Sequence, residues 1–434
     1  MTAEIAIMNK QAVSLAADSA ITITHGQEQK ILTSGNKLFA LLKSKPVGVM
    51  VYGQAAFMDV PWETAIKEYR RRRGSVDYDA LEEYADDLIG FLDSERALSP
   101  SSQQEAFFSA AVRGYLLLLK DEIQNKAAQR FKDRNEVTDS DAKRVATEVI
   151  GKHWKRLEAH KSLSRLGTDY AQSVVRQYGQ LIDSVVQQVF EKLPVSQLSR
   201  RRLRQICGFL LDRDVFPQNT SGVVIAGFGT QDVFPALKSF VVYAVANDKL
   251  KYKEDTCHRI GYEDSAAIIA FAQQEMVRTF MEGVDPKLRA FFDTYIGYTF
   301  SGLPDVIAAS IDGLNQPAKE SLKQKLAEAG RSVLSQYRSE INRYQQEQHV
   351  APLLRVVANL PKDQLAEMAE SLVNLTSLKR RFTMETETVG GPIDVAVISK
   401  GDGFIWIRRK HYFRPELNVD FLARSLRGQQ NGCG

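Results

Sequence analysis

The 434-residue chain predicts an α+β protein: one layered core whose strands lie in three separate stretches of sequence, with two helical insertions between them. Three observations predict it. Short apolar and β-branched runs fill residues 4–52, return over 222–246 and return again over 393–409. The stretches between them are rich in Ala, Leu, Gln and charge, with almost no strand-type run. The balance of 44% apolar and 25% charged residues, with 27 Gly and 13 Pro and no simple repeat, is that of a globular chain and excludes collagen, a rod or a disordered tail.

Taken in order, residues 4–8 and 13–17 read as strands separated by the turn-prone Asn9-Lys10-Gln11. Residues 21–24 continue them, and 47–52 form another strand after Pro46. From 55 to 73 the apolar spacing lengthens to that of a helix, with Phe57, Val60, Ile66 and Tyr69 on one face. Helices are predicted over 80–92, 103–130, 139–160 and 170–193. Strands return at 222–227 and 238–246, and a helix is expected over 266–283. Residues 286–350 are helical again, 319–348 being the longest and most charged part. A last helix over 362–378 precedes a hairpin whose strands, 393–399 and 404–409, flank the turn Lys400-Gly401-Asp402-Gly403. The core is thus expected from 1–73, 221–283 and 361–415, the insertions from 74–220 and 284–360, and a flexible tail from 416–434.

Charge and cysteine use narrow the function classes. Lys and Arg number 57 against 53 Asp and Glu, and a surplus of +4 does not point to nucleic acid. The arginine runs at 70–73 and 200–204 sit at helix ends, where cations complement the helix dipole or face solvent. Cys207, Cys257 and Cys433 are too few and too scattered for a disulfide framework, so a reducing, cytoplasmic setting is expected. The most apolar stretch, 110–119, is broken by Arg113 and Gly114, so no membrane span is expected, and nothing at the N-terminus marks a signal peptide. The six histidines have no ligand spacing, so no metal site is expected either.

Thr2 carries the sharpest chemical reading. Removal of Met1 would leave a threonine whose hydroxyl and free amine lie in one residue, so nucleophile and base come together. An α-amino group titrates near pH 7.7 to 8.0, close to where a general base works best. A nearby lysine would disfavour its protonated form, and an aspartate would keep that lysine charged and placed. Both are at hand: Asp18 ends the run Val13-Ser14-Leu15-Ala16-Ala17, and Lys37 stands in Ser34-Gly35-Asn36-Lys37-Leu38-Phe39.

This order resembles a known family. Thr2 followed by a strand, a turn, Ala-Ala-Asp-Ser, a β-branched run, Asn-Lys-Leu-Phe and an apolar strand closing at Gly53 is similar to the start of proteasome β-subunits and their bacterial relatives among the N-terminal nucleophile (Ntn) hydrolases. Lys37 arrives a few residues late, as a longer hairpin around His25 and Gly26 would allow. Residues 222–227 with Phe234-Pro235 resemble the family's central strands, and 366–378 with 389–403 its last helix and closing hairpin. Where the family usually has an Asp and a Ser before the Gly-Gly pair, this chain has Thr386 and Val389, with Glu385 and Glu387 beside them.

The resemblance implies a four-layer αββα sandwich of two antiparallel sheets and a threonine-type peptidase. Thr2 would be the nucleophile, Asp18 and Lys37 its supporting pair, and Ser265 a supporting serine. The Gly53 N–H would be an oxyanion donor, a group typically worth about 3 to 4 kcal/mol. Ile21, Thr22, Gly35, Val51 and Ala55 would form a small apolar substrate pocket. No metal or organic cofactor is required. The implied partners are a polypeptide substrate, further copies of the chain and an ATPase unfoldase. A small-molecule amidase using the same site, and a catalytically silent scaffold, are the rival readings.

Overall fold

The computed structural model describes residues 3–25, 28–130, 132, 138–191, 193–383, 389–411, 413–414 and 417–418. The early strands are β1 (Ala3–Asn9), β2 (Ala12–Ala17), β3 (Ile21–His25), β4 (Glu28–Leu32), β5 (Leu38–Ala40), β6 (Val47–Gly53), β7 (Ala56–Phe57) and β8 (Val60–Pro61). The later ones are β9 (Ser221–Gly227), β10 (Ala236–Ala246), β11 (Lys249–Arg259), β12 (Ala266–Ala272), β13 (Asp394–Ser399) and β14 (Gly403–Arg408). Helices α1 (Trp62–Arg73), α2 (Leu81–Ser94), α3 (Ser101–Arg130), α4 (Asp139–Ala159), α5 (Tyr170–Gln177), α6 (Gly179–Val189) and α7 (Gln197–Asp212) lie between β8 and β9. Helices α8 (Glu275–Glu282), α9 (Pro286–Ser310), α10 (Gln316–Gln345), α11 (Ala351–Val357) and α12 (Lys362–Arg381) lie between β12 and β13. The protein is therefore α+β, with two five-stranded antiparallel sheets and its helices in two blocks.

The chain divides into two compact units. The first holds the residues up to Leu38, Val233–Pro235 and those from Arg259 on. Its sheet runs β12-β1-β2-β13-β14, with Ala3–Asn9 antiparallel to both β2 and β12. Alternation along β1 turns Ala3, Ile5 and Ile7 into a core shared with Leu365, Ala366, Ala369 and Val373 of α12, whose spacing is that of one helix face. The other β1 residues are buried as well, which explains a strand that reads as one apolar run apart from Glu4 and Asn9.

The second unit holds Phe39–Asp232 and Ala236–His258. Its sheet runs β11-β10-β9-β6-β5. Trp62, Ile66 and Tyr69 of α1 and Leu81, Leu88 and Leu92 of α2 share a core with Val49, Val223 and Phe240 of the strands. Helices α3 to α7 build a separate core around Val112, Leu116, Ile150, Ile206 and Leu203. Three sequence expectations are corrected here. Residues 55–73 do not form one helix: Phe57 and Val60 lie in the paired strands β7 and β8, and α1 begins at Trp62. Residues 266–283 do not form one helix either: Ala266–Ala272 is strand β12, its small, β-branched and aromatic residues pairing along β1, and α8 begins only at Glu275. The third is an omission, the polar strand β11 at the edge of its sheet, whose charges mask the strand pattern. Among the described residues, no helix is long and apolar enough to cross a membrane.

Candidate functional site

The first unit gathers three charged side chains at one end of β1 and β2. Asp18 follows the last residue of β2, and Lys37 immediately precedes β5. Between them the chain goes out and back as a hairpin, Ile21 opposite Leu32 and His25 opposite Glu28, which returns Lys37 to Asp18. The Gly35 N–H donates to the Ser19 carbonyl at 2.9 Å and closes the return. Lys37 Nζ then donates to Asp18 Oδ1 at 2.5 Å.

A second carboxylate shares this lysine. Glu4 Oε1 lies 3.3 Å from Lys37 Nζ, and Glu4, Asp18 and Lys37 are 0, 1 and 5% exposed. Glu4 points away from the Ala3-Ile5-Ile7 face, so the alternation of β1 aims it to the side on which Lys37 lies. A buried ion cluster of this kind persists only with its remaining lone pairs satisfied. Asp18 meets that condition: Oδ1 also accepts from the Ala3 N–H at 3.0 Å, and Oδ2 accepts from Ala20 and Gly390 at 3.2 and 2.9 Å. Formally the three side chains sum to one negative charge.

The segment 389–392 forms one wall. The Ser19 N–H donates to the Gly390 carbonyl, and Ser19 Oγ to the Pro392 carbonyl at 2.5 Å. Gly391 has φ +79°, and a Cβ there would stand 2.7 Å from the Thr33 carbonyl oxygen, so only glycine passes. Sequence reasoning took Gly390-Gly391-Pro392 as the approach to a hairpin and missed that it holds Asp18. It also missed Glu4, whose only signal was a lone charge in an otherwise apolar strand.

The other site residues fall as follows. Thr2 lies outside the described residues, as do Glu385, Thr386 and Glu387; Thr2 is bonded to the Ala3 nitrogen that Asp18 holds. Val389 is buried in the core of the first unit. Ser265 is not brought to the cluster: it precedes Ala266, which pairs with Asn9, whereas Asp18 and Lys37 sit at the Ala3 end, roughly 20 Å along the strand. Ile21 covers Gly35, where a Cβ would meet Ile21 Cδ1 at 2.1 Å, so these two pocket residues are in contact. Thr22 is the next residue of β3. In the second unit, Gly53 ends β6 at φ +82°, with its Cβ position 2.3 Å from the Thr220 carbonyl oxygen. Val51 belongs to the buried core there, and Ala55 is exposed. Among the described residues, no group of His, Cys, Asp and Glu is arranged to hold a metal ion.

Several members of the arginine runs pair with neighbouring carboxylates. Arg71 and Arg72 pair with Glu68, Arg73 with Asp87 and Arg204 with Asp183. No family model and no curated protein matches this chain. Among solved structures the chain is similar to Anbu (ancestral beta-subunit) from Yersinia bercovieri, with a TM-score of 0.25 and 8% identity over 99% of this chain and 98% of that one. At that TM-score the likeness lends nothing to a functional reading, which rests on the residues themselves.

Proposed function

We propose that the chain is a threonine-type peptidase of the proteasome-like Ntn class, acting through Thr2 as the mature N-terminus. One observation carries the reading: Lys37 is buried against Asp18, and the same Asp18 oxygen holds the Ala3 N–H, one peptide bond from Thr2. A buried lysine with two carboxylate partners is an expensive arrangement for a purely structural strand end.

In the proposed reaction Thr2 Oγ1 attacks the scissile carbonyl carbon and its proton passes to the Thr2 amine. The amine gives that proton to the leaving amine as the C–N bond breaks, and an ester to Thr2 remains. Water, deprotonated by the same amine, attacks the ester and returns the hydroxyl. Lys37 keeps positive charge near the amine and so favours its neutral form, while Asp18 fixes Lys37. The roles given above to Gly53 and the pocket residues, the four-layer sandwich, the cytoplasmic setting, a polypeptide substrate and an ATPase partner belong to the same proposal; no cofactor is invoked.

The test is an intact-mass measurement with and without a threonine-directed covalent inhibitor, alongside peptide hydrolysis by the wild type and Thr2→Ala. The expected result is loss of Met1, one inhibitor adduct, and hydrolysis abolished by the substitution. Retention of Met1, or identical behaviour of Thr2→Ala, overturns the reading.

A further inference from the structure

Helix α9 is apolar on two opposite sides. Its inner side, on which Pro304 and Ala308 are buried, packs along α10, where a Cβ at Gly330 would meet Phe300 at 3.6 Å and one at Gly297 would meet Leu334 at 3.8 Å. Its outer side carries Leu288, Phe291, Phe292, Tyr295, Tyr298 and Val306, each 42 to 79% exposed. At 100° per residue these six fall within an arc of about 120°, a stripe that runs the length of the helix. A helix apolar on both faces belongs inside a larger body, and α10, whose exposed side is mostly polar apart from Val333 and Tyr344, covers only one of them. The hairpin itself is thinly packed: besides Pro304 and Ala308, only Gly330 and Gln345 of α9 and α10 are buried.

The pattern of the stripe is self-complementary. If a second α9 lies antiparallel to the first about a two-fold axis level with Gly297, Leu288 falls opposite Val306 and Phe292 opposite Gly302. A Cβ at Gly302 would meet nothing within 4 Å, so the position is an open notch for a ring. Lys287 and Asp305 stand on the same flank at opposite ends, 70 and 71% exposed on their side chains, and antiparallel pairing brings the lysine of each copy to the aspartate of the other. Their present partners, Glu275 at 3.4 Å and Lys323 at 2.7 Å, are surface contacts that leave room for a second ion. A helix lying on a membrane would instead carry rows of Lys and Arg beside its apolar face, and α9 exposes Lys287 and Asp305 there.

We infer that the outer face of α9 is an isologous interface with a second copy of this chain. The interface stands apart from the proposed peptidase site and does not depend on it. The test is the oligomeric state of the full-length protein by sedimentation equilibrium, with circular dichroism melting as a check on folding. The wild type is expected as an even-numbered assembly, and Phe291→Lys with Tyr295→Lys to halve its mass while the melt is unchanged. Val306→Lys gives the same reading if the double variant fails to fold. Lys287→Asp should weaken association at least several-fold, and adding Asp305→Lys should restore it. A monomeric wild type, a mass unchanged by the stripe substitutions, or no recovery in the charge-swapped variant overturns the inference. So does wild-type binding to phosphatidylcholine–phosphatidylserine vesicles that the stripe substitutions abolish.

Discussion

Lys37 faces two buried carboxylates, and the sum of those charges bears on any titrating group nearby. Asp18 fixes the lysine, whose charge favours a free amine; Glu4 adds a second carboxylate, which works against the lysine and favours an ammonium. In the proposed reaction the Thr2 amine must be neutral, so Glu4 raises the pH at which hydrolysis sets in. Glu4→Gln is therefore expected to move the acid limb of the pH–rate profile to lower pH, by about one unit or less given the lysine between them. An unmoved limb in an active variant shows that Glu4 acts only in packing. At this scale the legible residues were those with a required spacing: Asp18 at the end of an apolar run and Lys37 before the next. Glu4 and Gly390 were not legible, since a strand's facing and a backbone N–H donor depend on register with segments distant in sequence.

Elements were legible where one period dominates. The long helices from 103 to 160 and the last helix announce themselves by apolar spacing, and β1, β2, β6, β9 and β13 by short apolar runs. Strand β11 was hidden because Lys-Leu-Lys-Tyr-Lys-Glu-Asp is polar, and it buries Lys251 completely. That lysine donates to the carbonyls of Leu210 and Val215 at 2.7 and 2.6 Å, tying β11 to the end of α7 and the link beyond it. Burial pushes its pKa from 10.5 down to about 7, against the opposing pull of Asp214 and Asp212. Between those two values the unfolded chain binds more protons than the folded one, so stability should rise with pH across that window. Urea unfolding at about pH 7 and about pH 10 is expected to show the wild type gaining up to a few kcal/mol over that interval relative to Lys251→Met. A parallel response of the two proteins shows that the lysine stays charged in the fold.

At the scale of the whole chain, three strand blocks and two helical blocks could be read from the sequence, but how the helices are shared out could not. Helices α1 and α2 serve the sheet core of the second unit, while α3 to α7 build a second core that takes in Ala246 of β10. Helical periodicity says that a face is buried and not against what. The hairpin α9–α10 is the extreme case, because none of its residues joins the apolar cluster under the first sheet. Its two ends meet: the Gln345 side chain donates to the Glu282 carbonyl at 3.2 Å, and the His349 ring abuts Gly283, where a Cβ would stand 2.8 Å from it. Residues 286–344 can therefore be replaced by a short Gly-Ser linker from Asp285 to Gln345 without stretching the chain. The shortened protein is expected to keep its β-sheet circular dichroism and its melting midpoint within a few degrees, and to lose the self-association assigned to α9. Collapse of the sheet signal on deletion would mean that the hairpin supports the fold, and its exposed aromatic stripe would then need a different cause.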